Sequence, residues 1–319
     1  MHDRPLTTPC RRAFLKAAAT LPALGAMPVW AAETGGTTLI ILGSMGGPSV
    51  GRARYMTSHV ILHGGAAHVV DCGYGVTEQL VRAGVKLQNI RDIFITHHHP
   101  DHNIELGSLL YFAWFAGRDD TPKLYGPPPL RQIATDYLKA IKPDVDVWLD
   151  DLGRKPMGPL TVKEISSTGP VMASEDMKVT AAIVNHPPVV PALAYRFDFP
   201  DRSIVFSGDT TPMESVARLA QGADVLVHEA MYLPAMRAEI AARVTGSDIA
   251  GDRDKLWAHL MRSHSPAEEA GRIAAEAGVK TLVLSHIVPI TGVSDEQWKA
   301  AAGTYFKGRI IVARDLMVI

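Results

Sequence analysis

Thr96-His97-His98-His99-Pro100-Asp101-His102 is the stretch on which the reading of this chain turns. His97, His99 and Asp101 alternate, and His102 stands beside them. Such groups can face one cavity from a loop at the end of a strand. Imidazole and carboxylate are donors that zinc accepts, and they seldom crowd together in a solvent-exposed polar turn. By the same alternation His98 points away and is read as a supporting residue.

The run before the cluster, Arg91–Thr96, is composed like a strand. Four later strand-like runs also finish in a metal-capable residue. Lys178–Asn185 runs into His186, and Ser203–Phe206 into Ser207-Gly208-Asp209. Asp224–Val227 runs into His228-Glu229, and Thr281–Ser285 into His286. Apolar strands ending this way place their donors along one edge of the sheets, where open α/β architectures carry ligands. Around them lie a strand at Thr38–Leu42, a hairpin His59–His63/His68–Asp71 across Gly64-Gly65, and a helix at Val76–Gly84. A helix near Leu130–Ile141, a strand at Ala192–Phe197, a helical stretch Tyr232–Arg262 and a closing strand-like run Arg309–Ile319 complete the pattern. The order predicts a layered α/β sandwich in one domain covering 32–319.

These motifs resemble those of the metallo-β-lactamase superfamily. Asp71 in Val69-Val70-Asp71-Cys72-Gly73, the His97–His102 cluster, His186, Asp209 and His286 follow in that family's order. His228-Glu229-Ala230, His264-Ser265-Pro266 and Leu284-Ser285-His286 look most like the ribonuclease Z and arylsulfatase-like branch, with Pro266 where threonine is usual. The resemblance implies a four-layer αββα sandwich and a dinuclear centre. His97, His99 and His186 would hold one zinc ion, Asp101, His102 and His286 the other, and Asp209 would bridge them. Iron or manganese would suit the same donors. Zinc β-lactamases commonly place a cysteine ligand late in the chain, whereas Cys72 here lies in a core strand. Flavodiiron-type proteins carry a glutamate inside the histidine motif, which this sequence lacks.

The composition is that of a soluble globular protein, with 47% apolar and 20% charged residues among 319. A net charge of -1 gives no electrostatic footprint for a polyanion. Arg11-Arg12-Ala13-Phe14-Leu15-Lys16, followed by an apolar stretch to Trp30 and then Ala31-Ala32, resembles a twin-arginine (Tat) export signal, with Cys10 where serine or threonine is usual. Broken by Pro22, Gly25 and Pro28, the stretch is too short to span a bilayer. Removal of residues 1–31 would leave 28 basic and 32 acidic residues and a single cysteine, Cys72, which precludes an internal disulfide. A periplasmic or secreted protein is expected.

Two bound zinc ions would acidify a shared water, and Asp101 could both bind metal and steer that water. His264 narrows the chemistry. Ser265-Pro266-Ala267-Glu268 reads as an N-cap, a first-turn proline and a capping-box glutamate, placing His264 just before a helix N-terminus, where anions are favoured. In the ribonuclease Z pattern Glu229 pairs with this histidine, which could then give a proton to a leaving oxygen. The expected function is hydrolysis of a small phosphodiester or sulfate ester, with Asp101, His264 and Glu229 as catalytic residues. A carboxylic-ester, lactone or β-lactam hydrolase is the alternative, and a non-catalytic metal-binding protein a third reading. The expected partner is a small-molecule ester; nucleic acid and stable membrane insertion are not expected, and a homodimer is left open. His228 is read as filling space. His59, His63 and His68 are read as surface residues, and Tyr232, Trp257, His259 and Met261 as an insert that either lines the substrate entrance or packs as a helix. Gly46-Gly47 and Tyr74 are expected to shape loops near the metals.

Overall fold

A computed structural model describes residues 36–242 and 253–319, so the export-signal reading of 1–31 falls outside the described residues. β-Branched and apolar runs build the first sheet. Thr38–Gly43 (β1), Ser58–His63 (β2) and Ala66–Cys72 (β3) form an antiparallel meander whose hairpin turns at Gly64-Gly65, both with positive φ. Helix Val76–Arg82 (α1) leads to Ile90–Phe94 (β4), parallel to β3. Pro100–Asn103 (α2) and Leu106–Phe115 (α3) lead to Lys123–Gly126 (β5), and Leu130–Leu152 (α4) leads to Val162–Glu164 (β6).

The second sheet contains Gly169–Ala173 (β7), Lys178–His186 (β8), Val189–Asp198 (β9) and Ser203–Phe206 (β10). After Glu214–Leu219 (α5) come Val225–Met231 (β11) and the helices Leu233–Ala242 (α6), Arg253–Ser263 (α7) and Ala267–Ala277 (α8). Thr281–Val288 (β12), Asp295–Ala302 (α9) and Arg309–Val312 (β13) follow, and Met317–Val318 (β14) returns to pair with β1. The strand orders are β14-β1-β2-β3-β4-β5-β6 and β13-β12-β11-β10-β9-β8-β7.

Three apolar layers hold these elements together. Leu39, Val70 and Phe94 from the first sheet meet Tyr195, Phe197 and Phe206 from the second. Outside it, Leu80, Leu109 and Leu110 seal helices onto the first sheet, while Val216, Ile273 and Trp298 seal helices onto the second. The result is the expected αββα sandwich. Among the described residues no helix is long and apolar enough to cross a membrane.

Several expectations need correction. α4 does not stop near Ile141 but runs through Pro143 to Leu152. Proline removes one intrahelical N–H. Lys142 bonding Asp146 at 2.7 Å and Trp148 packing edge-on to Phe115 at 5.2 Å hold the turns beyond it. His228, Glu229 and His286 lie inside their strands rather than after them. The register of β11 and β12 shifts between Glu229 and Ala230, and His286 has φ 47, so a local irregularity frees its side chain from the ladder. The run 309–319 divides between the two sheets instead of closing one. Ser265 does not cap α8: its hydroxyl is buried and donates to Thr210 O at 2.6 Å, and Pro266 takes the N-cap position without a side-chain cap. His59 and His68 are buried, at 4% and 0% exposure, because their hairpin lies within the layers.

Candidate metal centre

The cluster begins where β4 ends. Asp71, at the end of β3 with φ 62, accepts the Thr96 N–H at 2.8 Å and the Thr96 hydroxyl at 2.9 Å. Because Thr96 spends its proton on Asp71, its oxygen is left to accept from His97 Nδ1–H at 3.1 Å. His97 Nε2 is thereby turned outward as a lone pair. On the other sheet, His186 Nδ1–H donates to Ser263 O at 2.8 Å, which likewise frees its Nε2. Both nitrogens converge on His99 Nδ1, at 3.1 and 3.0 Å. Three ring nitrogens facing one another cannot be satisfied by the single proton that fits between any two of them; a cation among them satisfies all three.

His102 is oriented in the same way: its Nδ1–H donates to Asp71 at 2.9 Å. Its Nε2 lies 3.3 Å from Asp209 Oδ1 and 3.7 Å from Asp101 Oδ2. His286 Nε2 lies 3.1 Å from Asp209 Oδ2 and 3.3 Å from Asp101 Oδ2, and the Gly47 N–H donates to that same Asp101 oxygen at 2.8 Å. Asp209 stands between the groups, its Oδ2 3.7 Å from His97 Nε2. Two sets, His97, His99, His186 and Asp209, and Asp101, His102 and His286, each have donor atoms within 4.8 Å of one another, and a third, Asp209, His264 and His286, overlaps them. His102 Nε2 and Asp209 Oδ1 are buried with no hydrogen-bond partner, as expected of atoms arranged for an ion rather than for each other. Gly46 makes room for this packing, since a Cβ there would come within 2.5 Å of the His286 ring.

The electrostatics differ between the sets. Burial pushes His97 well below its ordinary value and His99 down to about 4, with neighbouring imidazoles adding to the effect; burial also lowers His186. Burial thus favours the neutral form of these rings, the form whose lone pair a cation takes. Burial also opposes charge on His102 and His286, but surrounding carboxylates outweigh it, raising His102 well above its ordinary value and His286 to about 10. Asp101 and Asp209 are correspondingly held below the carboxylate range, the neighbouring imidazoles overcoming burial.

Beside the centre, His264 Nδ1–H donates to Glu229 Oε2 at 2.9 Å, and the Thr210 N–H fixes Glu229 Oε1 at 2.6 Å. The His264 ring stacks on His286 at 5.7 Å, and its Nδ1 is 3.9 Å from Asp209. Burial would lower His264, yet Glu229 raises it above its ordinary value. All nine predicted site residues thus meet in one place.

Outside that group, His98 turns away to Pro127 O and Asn103, and His228 is buried against Glu229 O. In the insert, Tyr232 packs on Trp298 and Trp257 lies 4.5 Å from Arg237, while the His259 ring sits 6.4 Å from His264. Tyr74 stacks on Tyr55. Gly46-Gly47 does border the metals as expected, with the Gly47 N–H on Asp101, whereas the orienting roles of Thr96 and the Ser263 carbonyl had no signal in the sequence, since every residue has a backbone and threonines are common.

This chain is a metallo-hydrolase of the metallo-β-lactamase superfamily, to which it belongs by both sequence and fold: residues 68–287 match the family described as the beta-lactamase superfamily domain. Ribonuclease Z of Mycobacterium bovis (strain BCG / Pasteur 1173P2) is 33% identical over 285 residues, covering 87% of this chain and 96% of that protein. Among solved structures, the Bacillus subtilis metallo-beta-lactamase fold protein YhfI is similar with a TM-score of 0.63 at 21% identity, over 89% of this chain and 98% of its own. Human tRNase Z, short form, has a TM-score of 0.61 at 22% identity, over 88% and 98%.

Proposed function

We propose that the protein hydrolyses a small phosphodiester or sulfate ester at a dinuclear zinc centre held by His97, His99 and His186 on one side, Asp101, His102 and His286 on the other, and Asp209 between them. The observation that carries the choice of ester is the His264–Glu229 pair, 2.9 Å apart at the edge of the donor cluster. Bound there, two zinc ions would supply an acidified water and neutralise charge on the ester oxygens. Asp101, anchored by the Gly47 amide, directs that water. His264 has spent Nδ1–H on Glu229, so its protonated ring offers Nε2–H to the leaving oxygen. Glu229, fixed in turn by Thr210, sets the angle of that donation. A carboxylic ester with a good leaving group needs the ions but not this donor.

The name of the ribonuclease Z relatives favours a second reading, in which the diester belongs to an RNA. The small diester is placed first on charge. Residues 142–170 carry four basic and five acidic residues, and they form the second half of α4, a connection, β6 and the start of β7. That is poor material for a phosphate-gripping arm.

The zinc-loaded protein should be assayed on bis-p-nitrophenyl phosphate, p-nitrophenyl sulfate, p-nitrophenyl acetate, a lactone, nitrocefin and a tRNA precursor. His264→Ala is expected to cut diester or sulfate turnover by roughly 10²–10⁴-fold while sparing the acetate. Equal loss on both classes overturns the role of His264, and turnover of the precursor alone moves the assignment to RNA. The proposal includes twin-arginine export with loss of residues 1–31, supported by Arg11-Arg12. Arg11→Lys/Arg12→Lys should then strand the full-length form in the cytoplasm, and a wild-type periplasm free of the shortened form would refute export.

A further inference from the structure

Against the inner side of the centre lies a small cavity that reaches from the donors His102 and Asp209 to His59, Glu229, Ser285 and His286 and offers about 20 Å³ to the centre of a water molecule. One water needs roughly 10–15 Å³ on that measure and two to four polar partners. The lining supplies them. His286 Nδ1, on a side chain 5% exposed, has no protein partner. Glu229 Oε2 is 4.0 Å from it, too far for a direct bond but within the span of one bridging water. Ser285 Oγ meets His59 Nε2 at 3.1 Å, and His59 Nδ1 is itself buried without a partner. His59 is brought here from β2 of the first sheet, the other groups from β11 and β12 of the second.

We infer that this chamber holds one structural water joining Ser285 Oγ, His286 Nδ1 and Glu229 Oε2, and that His59, through Ser285, positions His286 toward the metal. The inference rests on the metal-centre reading above. Donation of His286 Nδ1–H to the water fixes the ring's tautomer and leaves Nε2 facing Asp101 and Asp209, the outer partner that ligating histidines require. The water also reaches Glu229, whose Oε2 already accepts from His264. One carboxylate therefore orients both the ring that would hold an ion and the ring that donates the proton. His59 touches neither ion nor substrate; it is a positioning residue.

The test uses the full chain, stripped and titrated with Co²⁺ and Zn²⁺ against a competing chelator. His59→Leu and Ser285→Ala should each weaken the more loosely held ion by about 10–100-fold and shift the cobalt absorption band, while His59→Gln stays within about threefold of wild type. kcat should fall in the first two variants with KM little changed. If His59→Leu fails to fold, Ser285→Ala carries the comparison, since it removes one oxygen only. A high-resolution crystal structure should show ordered density within hydrogen-bonding distance of Ser285 Oγ and His286 Nδ1; an empty chamber overturns the inference. A wild-type chain that takes up no ion overturns both readings. Wild-type uptake with unchanged variants overturns this one alone.

Discussion

β3 carries a buried histidine–aspartate pair near each of its ends, and only one of them belongs to a site. At one end His68 Nδ1 stands 2.9 Å from Asp92; at the other His102 Nδ1 stands 2.9 Å from Asp71. All four side chains are essentially excluded from solvent. The His102 N–H is aligned as a hydrogen bond, whereas His68 Nδ1 makes none despite the same separation. Asp92 also accepts from Arg91 Nε at 3.1 Å, which closes that end as a local charge pair. Asp71 instead accepts from Thr96 and so ties the β3 end to the His97 loop. The far nitrogen of His102 then looks toward Asp209 and Asp101. Among the described residues His68 forms its ion pair with Asp92 only. A buried pair by itself thus says little about function. Convergence of further donors on the histidine's free nitrogen makes the difference.

Substitutions on each side of this comparison should separate accordingly. The largest effect is expected at Asp209, the shared carboxylate. Asp209→Asn should lower turnover by about 10³-fold or more and reduce bound metal, read by kinetics and elemental analysis. Retention of two ions and near-normal turnover would remove Asp209 from the bridging position. Asp71→Asn comes next, at about 10–100-fold in metal affinity, because it disturbs the ring orientation of His102 without removing a donor.

Asp92→Asn should reverse the pattern, leaving turnover within about twofold while costing roughly 3 kcal/mol in urea unfolding, since it leaves a buried partner uncompensated. A larger loss of activity than of stability there would mean that the two ends of β3 are coupled. The smallest signal is the pH dependence of that stability gap. Burial works against the Asp92 charge, but His68 and Arg91 outweigh it and hold the carboxyl below its ordinary value. A depressed acid stabilises fully above its unfolded value of about 4 and loses that contribution as pH falls through the folded value. The gap between wild type and Asp92→Asn should therefore be constant from neutral pH down to about 4 and shrink below it. A gap that persists at pH 2–3 would mean that packing, not charge, holds the pair.

Much of this was open to reading along the chain. Runs such as Thr38–Gly43 and Ser203–Phe206 announce strands because apolar, β-branched residues are bounded by turn formers. The His97–His102 cluster is compressed into one loop, so its donor types and spacing can be seen directly. Boundaries were harder. α4 continues past Pro143 because side-chain contacts made in the folded state hold its last turns. β11 and β12 continue through His228-Glu229 and His286, polar residues that read as strand ends until their partners across the sheet are known.

A layered α/β architecture and the donor chemistry are legible along the chain, since periodicity and residue type are local properties that need no partner to be expressed, while the four-layer order followed from the family resemblance. The tertiary structure added which histidines are buried and what orients each ring. His59, His68, His102 and His286 are all buried, and their residue type does not distinguish them. A ring's role depends on what its second nitrogen meets, and those partners come from segments as distant as Asp71 for His102 and Ser263 for His186. Such partnerships are set by the stacking of two sheets, and no spacing along one strand encodes them.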